Sequence, residues 1–356
     1  MIPRHVWVAM SSGVDSSLCA ALLKKSYDKV TGIFMSNWSG RCSDRNWDSV
    51  LRTADHIGIE VKRVDFEHQY WSEVFEKMVQ GYSDGNTPNP DVLCNKSVKF
   101  GALFQYIQQK SPGAFLATGH YAHVRDRQLY RPKDLQKDQT YYLSSIHRSV
   151  LSHLLFPLHN LMKSEVREQA LQLGLPSAQQ AESQGLCFIE QSEKSFDRFL
   201  AEYLPDTPGD ILDPQGRVVG SHRGLWQMTI GQRSRITMPQ GDPQYAGRWY
   251  IGSKDLKNNT MTIARGDDPV LYTDCLSTSG FNWLGDIDGS ENLFAQIRHQ
   301  QDPISVSVDK QGEGVHVKFA RSVRGVVCAQ HLVLWQNERC LGGGPIDRAW
   351  HEKIAQ

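Results

Sequence analysis

Two cysteines in this sequence stand where a thiol could do chemistry. Cys94 follows the proline-rich stretch TPNPDVL, in a loop, and a helix is expected to begin near Asn95. The N-terminus of a helix stabilises a thiolate, and the nearby Lys96 and Lys99 add positive charge. Cys187 lies in SQGLCFIE, between a glycine-containing turn and a short apolar strand. Because cysteine is often only a small core residue, neither position is diagnostic by itself.

A second candidate site is the turn SSGVDSS, which follows the apolar run HVWVAM and precedes a helical pattern. A strand-to-helix turn of this kind presents backbone N–H groups at a helix N-terminus, where an anion is stabilised. Gly13 allows a tight backbone, and Asp15 can cap the helix or help to hold a metal ion. A Walker loop would end in Gly-Lys-Ser or Gly-Lys-Thr, and that lysine is missing here. The turn therefore indicates either a phosphate site of another kind or a well-capped helix.

The elements that must position these residues alternate between strand and helix in the first part of the chain. Apolar runs such as VTGIFM and AFLATGH alternate with amphipathic segments up to about residue 190, which predicts a doubly wound parallel sheet with helices on both faces. Glycine and proline then recur among short strands, and alternating strands follow to the end. We therefore expect an α/β domain over 1–200, a small β-rich domain over 205–270 and a β-barrel over 271–348.

Composition excludes some classes of protein. The 39 basic and 39 acidic side chains balance, so a polyanionic partner would have to meet a local basic surface. No apolar run approaches the roughly 18 residues of a membrane span, and no membrane partner is expected. The seven scattered cysteines form no CxxC or zinc spacing, which favours a reducing compartment and no permanently bound metal.

Several motifs resemble known families. SSGVDSS is similar to the SGGxDS pyrophosphate loop of the PP-loop ATP pyrophosphatases, with Ser12 in place of the usual second glycine. The ordered motifs TPNPDVLCNKSVKFG, ATGHYA, KDQTYYLS, SQGLCFIE, LWQMTIGQR and CLGGGPI resemble the tRNA-specific 2-thiouridylases, and they span nearly the whole chain. SSGVDSS, NWSG, DQTYYLS and HRGLWQMTIGQ resemble most the fungal mitochondrial branch of that family.

The resemblance implies an ATP-dependent reaction on tRNA. ATP, with Mg²⁺, would activate the 2-carbonyl oxygen of the wobble uridine as an adenylate, and sulfur from a cysteine persulfide would displace AMP. By resemblance, the ATP-binding residues are Ala9, Met10, Ser11, Ser12, Gly13, Val14, Asp15, Ser16, Met35 and Gly119. Met35 and Gly119 stand at predicted strand ends, where open parallel sheets bind their ligands.

The resemblance also assigns the thiols. Cys187 matches the persulfide carrier and Cys94 its partner nucleophile, so that turnover would leave a Cys94–Cys187 disulfide for a reductant to open. Asp91 matches a general base or an orienting group for the uridine, unless it only forms a turn between prolines. The attacking species is either the bound persulfide or released hydrogen sulfide. A persulfide donor protein is implied as a partner.

The tRNA would be contacted by residues from several parts of the chain, because an unstacked anticodon base must enter a pocket. His299 stands where the family often has tyrosine, and Cys328-Ala329 stands where it usually has Pro-Gly. The residues that match the family's tRNA contacts are Asn89, Pro90, Asp91, His120, Lys137, Asp138, Gln139, Arg298, His299 and Gln330. The branch resemblance places the protein in the mitochondrial matrix, or in the cytoplasm if it is bacterial.

Two other functions compete with this interpretation. A PP-loop ligase that forms an amide on a small molecule would have no use for paired cysteines. A noncatalytic RNA-binding relative would release no pyrophosphate when tRNA and ATP are added.

Overall fold

The computed structural model describes residues 5–180, 196–238, 243–289 and 292–351, apart from the side chains of residues 41, 42 and 243. The predicted fold class is confirmed: a parallel sheet with helices comes first, then a small β-rich part, then an antiparallel β-barrel part. The strands of the first part are β1 (His5–Ala9), β2 (Lys29–Ser36), β3 (Glu60–Asp65), β4 (Phe115–Thr118), β5 (His123–Arg125), β6 (Gln128–Tyr130) and β7 (Leu154–Leu155).

The parallel sheet has the strand order β3-β2-β1-β4-β7. Its central strands are apolar because helices cover both faces, and the middle three residues of β1 are buried. The chain runs outward on one side from β1 to β3 and then returns to the other side of β1 with β4. The strand order therefore reverses between β1 and β4, and a sheet of this kind binds ligands at such a point.

Helices flank this sheet and continue beyond it. The α-helices of the described residues are α1 (Val14–Lys24), α2 (Arg41–Ile57), α3 (Glu67–Tyr70), α4 (Glu76–Ser83), α5 (Pro90–Leu93), α6 (Leu103–Lys110), α7 (Thr140–Leu143), α8 (Lys163–Gln172) and α9 (Phe196–Leu200). Short 3₁₀-helices span Arg148–His153, Leu225–Gln227, Pro243–Tyr245 and Pro269–Leu271. None of the helices in the described ranges has the length and apolarity to cross a bilayer.

Two π-helical segments join consecutive α-helices into longer ones. Trp71–Phe75 connects α3 to α4, and Cys94–Ala102 connects α5 to α6. In a π-helix the hydrogen bonds run from i to i+5, so the helix is wider than an α-helix, and such turns occur frequently at functional sites. The second segment begins at Cys94.

The central part is a four-stranded sheet with its own small core. Its strands are ordered β10-β11-β8-β9, and Ile211, Ile251, Met261 and Ile263 are fully buried within it. The strands are β8 (Gly209–Leu212), β9 (Val218–His222), β10 (Trp249–Asp255) and β11 (Thr260–Arg265).

The last part is an antiparallel sheet that packs around an aliphatic core. Its strands are β12 (Tyr272–Thr278), β13 (Asn282–Trp283), β14 (Leu293–Gln296), β15 (Ile304–Gln311), β16 (Gly314–Arg324), β17 (His331–Gln336), β18 (Arg339–Pro345) and β19 (Arg348–Trp350). Alternation along β16 places Val315, Val317 and Phe319 in this core, as the period of a strand requires.

The first and last parts share a sheet and a core. The hairpin β5–β6 adds to the edge of β18, where Cys340 pairs with Leu129. Val333 and Trp335, on β17, belong to the same buried cluster as Leu116 of β4. The barrel therefore completes the core of the parallel-sheet part.

Candidate functional site

The turn after β1 is held in shape by its own serines. The hydroxyl of Ser16 lies 3.0 Å from the backbone nitrogen of Ser11 and 3.1 Å from its hydroxyl oxygen, and Ser17 donates to the Gly13 carbonyl at 3.0 Å. Gly13 precedes α1 with an extended backbone, and no side chain caps that helix end within the described residues. The N-terminus of α1 thus presents backbone donors at the reversal point of the sheet, as an anion site requires.

Asp15 in the first turn of α1 is already engaged. Lys163, the first residue of α8, places its ammonium 2.7 Å from both carboxylate oxygens, and the Tyr121 hydroxyl donates to Asp15 at 2.9 Å. The Lys163 side chain is 13% exposed and that of Asp15 is 33% exposed. This half-buried ion pair connects the turn after β1 to α8.

Gly119 follows β4 and lies against the same turn. A Cβ atom at this position would stand 2.8 Å from the Ser16 nitrogen and 2.9 Å from the Asp15 carbonyl carbon, so only glycine fits. Ala9, at the end of β1, pairs with Thr118, at the end of β4. The predicted ATP residues of the turn and Gly119 therefore lie together.

The remaining predicted ATP residues lie in or next to the turn after β1, or on β2. Met10 is buried, and its sulfur would be 2.6 Å from a Cβ added to Gly32 of β2. Met35 is half-buried near the end of β2 and packs against the main core. Ser12 and Val14 occupy the turn and the first position of α1, and Ser12 remains partly exposed.

Cys94 lies inside a helix, and the prediction of a loop followed by a helix near Asn95 was wrong. Asn89 caps the helix by accepting from the backbone nitrogens of Asp91 at 3.2 Å and Val92 at 3.3 Å, and Pro90 occupies the first turn. Proline is compatible with that position because it needs no hydrogen-bond donor there. Cys94 is half-buried one turn later, on the same face as Asp91.

Asp91 is exposed and lies near Lys99 and His299, and we call the surface around these three side chains the recess. Desolvation in this recess raises the pKa of its carboxyl, and the positive charges of Lys99 and His299 oppose that effect. Burial next to this carboxylate also raises the pKa of Tyr142 to about 12. A carboxyl with a raised pKa near a thiol is suited to proton transfer.

His120 connects this recess to the turn after β1. It follows Gly119, and its Nε2 lies 3.4 Å from the Lys99 ammonium while its Nδ1 lies 2.7 Å from the Thr118 hydroxyl. Burial lowers the pKa of His120 well below its usual value, and the Lys99 charge adds to this effect. The imidazole is therefore neutral, and because an ammonium only donates, Nε2 accepts and Nδ1 carries the proton.

The residues of the KDQ motif mostly bond within the protein. The Asp138 carboxylate is buried, accepts from Arg131 at 2.7 Å and from the Thr140 nitrogen at 2.9 Å. Gln139 accepts from the Tyr121 nitrogen at 3.1 Å. Lys137 is half-buried on a turn, and its backbone nitrogen donates to the Asp134 carbonyl at 3.1 Å.

Arg298 and His299 follow β14 and bring the barrel to the recess. The His299 ring lies 4.4 Å from the Tyr142 ring, tilted by 35°, and its Nε2 is 2.7 Å from the Asp138 carbonyl oxygen. Arg298 donates to the backbone carbonyls of Arg324 and Gly325. The imidazole of His299 therefore contacts another aromatic ring, at the position where the family often has tyrosine.

Gln330 lies between β16 and β17 and donates to the Thr87 carbonyl at 2.5 Å. Two contacts from the central part meet the same loop: Thr229 lies 3.2 Å from the Thr87 hydroxyl, and Lys254 donates to the Gly85 carbonyl at 2.8 Å. All three parts of the chain therefore hold the loop that leads into the helix of Cys94.

Cys187 lies outside the described residues, so its position relative to Cys94 stays a prediction. Sequence reasoning missed Lys163 and Tyr121 as partners of the turn, because nothing in a single sequence links α8 to α1. The sequence did not show that Asp91, Cys94 and Lys99 lie on one side of a helix, because the π-helical winding between them was not predicted. Within the described ranges, no three His, Cys, Asp or Glu side chains come together as a metal site.

Comparison with protein families matches most of the chain in three parts. Residues 4–191 match the model described as tRNA methyl transferase HUP domain. Residues 197–265 match the tRNA methyl transferase PRC-barrel domain, and residues 273–346 match the aminomethyltransferase beta-barrel domain.

Curated relatives are similar over nearly the full chain. The mitochondrial tRNA-specific 2-thiouridylase 1 of Saccharomyces cerevisiae is 41% identical over 96% of this chain and 91% of its own. The tRNA-specific 2-thiouridylases MnmA of Lactobacillus johnsonii and Bacillus subtilis are each 40% identical, over 98% of this chain and 96% of theirs. The expected likeness to the fungal mitochondrial branch is confirmed by the Saccharomyces cerevisiae enzyme.

Proposed function

This chain belongs to the family of tRNA-specific 2-thiouridylases, and we propose that it converts the wobble uridine of tRNA to 2-thiouridine with ATP and a cysteine persulfide. The single observation that supports the proposal is that the serine-rich turn and the helix of Cys94 lie next to each other at one edge of the parallel sheet. The serine-rich turn lies beside Gly119 and His120, and Lys99, 3.4 Å from His120, stands on the same helix as Asp91 and Cys94.

The turn after β1 would hold the pyrophosphate end of MgATP. The N-terminus of α1 offers backbone N–H groups, and the serine hydroxyls fix their direction. We assign Mg²⁺ to the arriving nucleotide, because the Asp15 carboxylate is already paired with Lys163. The proposed ATP set is the one expected from the sequence, from Ala9 to Ser16 with Met35 and Gly119.

The first chemical step forms an adenylate. The O2 atom of uridine attacks the α-phosphorus, the bond from this phosphorus to the bridging oxygen breaks, and pyrophosphate leaves. Asp91 would orient the base or receive a proton from it, and desolvation that raises the pKa of its carboxyl favours proton uptake. Asn89, Pro90 and Asp91 would form the contact surface for the target base at the start of the helix.

The second step transfers sulfur. The outer sulfur of the Cys187 persulfide attacks C2, and AMP leaves with the former O2 atom. The Cys94 thiolate then attacks the inner sulfur, the S–S bond breaks, and 2-thiouridine and a Cys94–Cys187 disulfide are the products. Both thiol protons are released, and an external dithiol reductant must return the disulfide to thiols.

The tRNA would lie across the recess between the first part and the barrel. Lys137, Arg298, His299 and Gln330 approach this recess from different elements. Asp138 and Gln139 bond within the protein, so we propose that they support this surface through the backbone of the turn. A persulfide donor protein and a reductant complete the proposed partners. We propose the mitochondrial matrix as the compartment, and the word mitochondrial in the name of the yeast relative supports the organelle.

The test measures product formation directly. Purified protein is incubated with unmodified tRNA, Mg²⁺, ATP and a persulfide donor, and nucleosides are analysed by mass spectrometry. We expect 2-thiouridine from the native protein and none from Cys94→Ser or Cys187→Ser. Cys275→Ser is the matched control, since this thiol lies on β12 of the barrel part, a strand that carries none of the proposed site residues. Product formation by either of the first two variants would refute the two-thiol mechanism.

A further inference from the structure

Lys99 is a half-buried ammonium that is not directly paired with a carboxylate of the described residues, although the Asp91 carboxyl senses its charge. Its hydrogen-bond contact is the neutral His120 imidazole at 3.4 Å, and it forms no ion pair with any carboxylate of the described residues. Lys163, the other lysine beside the turn after β1, is neutralised by Asp15. Buried cations are usually paired with an anion. Among the described residues, the Lys99 ammonium is therefore placed where an added anion could bind.

The direction of Lys99 follows from the π-helical winding. Five residues of α-helix rotate by about 500°, which would leave Lys99 about 140° away from Cys94 around the axis. The i→i+5 winding of Cys94–Ala102 instead returns the chain to nearly the same side after five residues. Lys99 and Cys94 therefore face the same recess, as does Asp91, whose carboxyl senses the Lys99 charge.

The opposite side of the same recess is the turn after β1. His120 directly follows Gly119, and Gly119 lies against the backbone of Asp15 and Ser16. The hydrogen bond from Lys99 to His120 holds the ammonium at this junction. A nucleotide whose pyrophosphate end binds the turn would extend its α-phosphate toward the junction between the turn and the thiol-bearing helix.

We propose that Lys99 is a catalytic residue that binds the α-phosphate of ATP and of the adenylate. In adenylation, negative charge builds on the α-phosphoryl oxygens as uridine O2 bonds to phosphorus and pyrophosphate departs. In sulfur transfer, the same phosphoryl group leaves as AMP. One fixed ammonium would stabilise the charge in both steps, and a neutral His120 would position it without competing for the anion. This inference rests on the proposed 2-thiouridylase function.

The experiment measures tRNA-dependent pyrophosphate release without a sulfur donor, at saturating tRNA and ATP. Lys99→Met is expected to lower the rate about 100-fold or more, the loss typical of removing one preorganised oxyanion donor. Lys99→Arg should recover much of the rate, whereas Lys99→Gln should not. Lys110→Met is the control, since it removes an exposed lysine further along the same helical segment and should match the native rate.

Three outcomes would overturn the inference. Native pyrophosphate release by Lys99→Met with loss of 2-thiouridine would mean that the lysine serves the thiols and not the phosphate. A native rate of Lys99→Met at saturating tRNA, with a defect only at low tRNA, would mean that the lysine is only an RNA contact. If Lys99→Met fails to fold, equal rates for Lys99→Arg and Lys99→Gln would exclude a role for the charge. Failure of the native protein to form pyrophosphate and 2-thiouridine would instead refute the proposed function.

Discussion

Ala329 adopts a backbone conformation that L-amino acids with a side chain seldom take. Its φ is 65°, and its nitrogen donates to the Ile346 carbonyl at 2.8 Å. The left-handed region costs a residue with a Cβ atom roughly 1–2 kcal/mol. The turn before Gln330 is therefore kept in a strained form by its hydrogen bonds, at the position where the family usually has glycine.

Replacing Ala329 by glycine is expected to stabilise the protein. The relief of strain exceeds the added entropy of the unfolded glycine, which leaves a gain of about 0.5–1 kcal/mol in the free energy of unfolding. Urea titration of the native protein and the variant would measure it. Ala54→Gly, inside α2, is the control and should lose about 1 kcal/mol or more. Destabilisation by Ala329→Gly would contradict this account.

For individual residues, the sequence predicted the residue types of the site better than their contacts. The serine-rich turn and Gly119 follow strand ends as expected, whereas Asp91 lies in a helix and not in the expected loop. The buried pairing of Asp138 with Arg131 could not be predicted, because both residues lie in the irregular segment between β6 and α7, where no periodic pattern sets their contacts. The Lys163–Asp15 pair was missed for the same reason, since the two residues are far apart in sequence.

Among the elements, the helix of Cys94 departs most from its sequence pattern. Apolar periodicity predicted its second half, but the α-helical period gave no sign of the π-helical winding between residues 94 and 102. Asn89-Pro90 is a standard helix start that motif reasoning treated as a loop. Gly101 is a sequence feature that fits the wider π-helical winding, because a Cβ atom at this position would stand 2.9 Å from the Lys96 carbonyl oxygen.

Gly101→Ala is therefore expected to disturb both stability and activity. The backbone must shift to admit the methyl group, which costs about 1–3 kcal/mol of unfolding free energy, and Lys99 turns away from Cys94 with it. Urea unfolding and the 2-thiouridine assay would measure the two effects. Gly280→Ala is the matched control, since its added Cβ would meet nothing within 4 Å. Equal activity of both variants would show that the winding is not needed.

On the scale of the whole molecule, three parts of the chain fix one loop. Residues 85–87 contact Lys254 and Thr229 of the central part and Gln330 of the barrel part. The sequence predicted the class of each part but not this convergence, because contacts between separate domains leave no periodic pattern. The loop leads into the cap of the Cys94 helix, so the later parts help to set the position of the thiol.

Lys254 makes this convergence sensitive to pH. Burial lowers the pKa of Lys254 to about 8, from 10.5 for an ordinary lysine. Between these values the unfolded chain holds a proton that the folded protein does not, so stability rises with pH in this window. Below about pH 8 both states are protonated, and the cost of the buried charge is fully present.

The native protein should therefore gain stability relative to Lys254→Met as the pH rises from 7.5 to 9.5. Urea midpoints at the two pH values would measure the difference. Lys257→Met removes an exposed lysine from the turn after β10, and its difference from the native protein should not change with pH. A difference that is independent of pH for Lys254→Met would contradict the expected titration. His222, which senses the Lys254 charge, is neutral at both pH values, because burial lowers its pKa.

The shared core predicts that the barrel part and the parallel-sheet part lose structure together. Trp335 is 1% exposed and belongs to the cluster that includes Leu116 and Leu129. Trp335→Ala should cost about 3–5 kcal/mol and reduce amide protection in β4 and β6 as well as in β17. Trp350→Ala, at a position that is 37% exposed, should cost far less. Protection lost only in β17 would contradict the shared core.

The pairing of β6 with β18 has a consequence for synthesis on the ribosome. Tyr130 is translated 209 residues before its partner Arg339 (339 − 130). At roughly 5–20 residues per second, the edge of β6 waits on the order of 10–40 s without its neighbour. During that interval a chaperone would have to shield the hairpin, and the nascent enzyme would mature only when its last strands emerge.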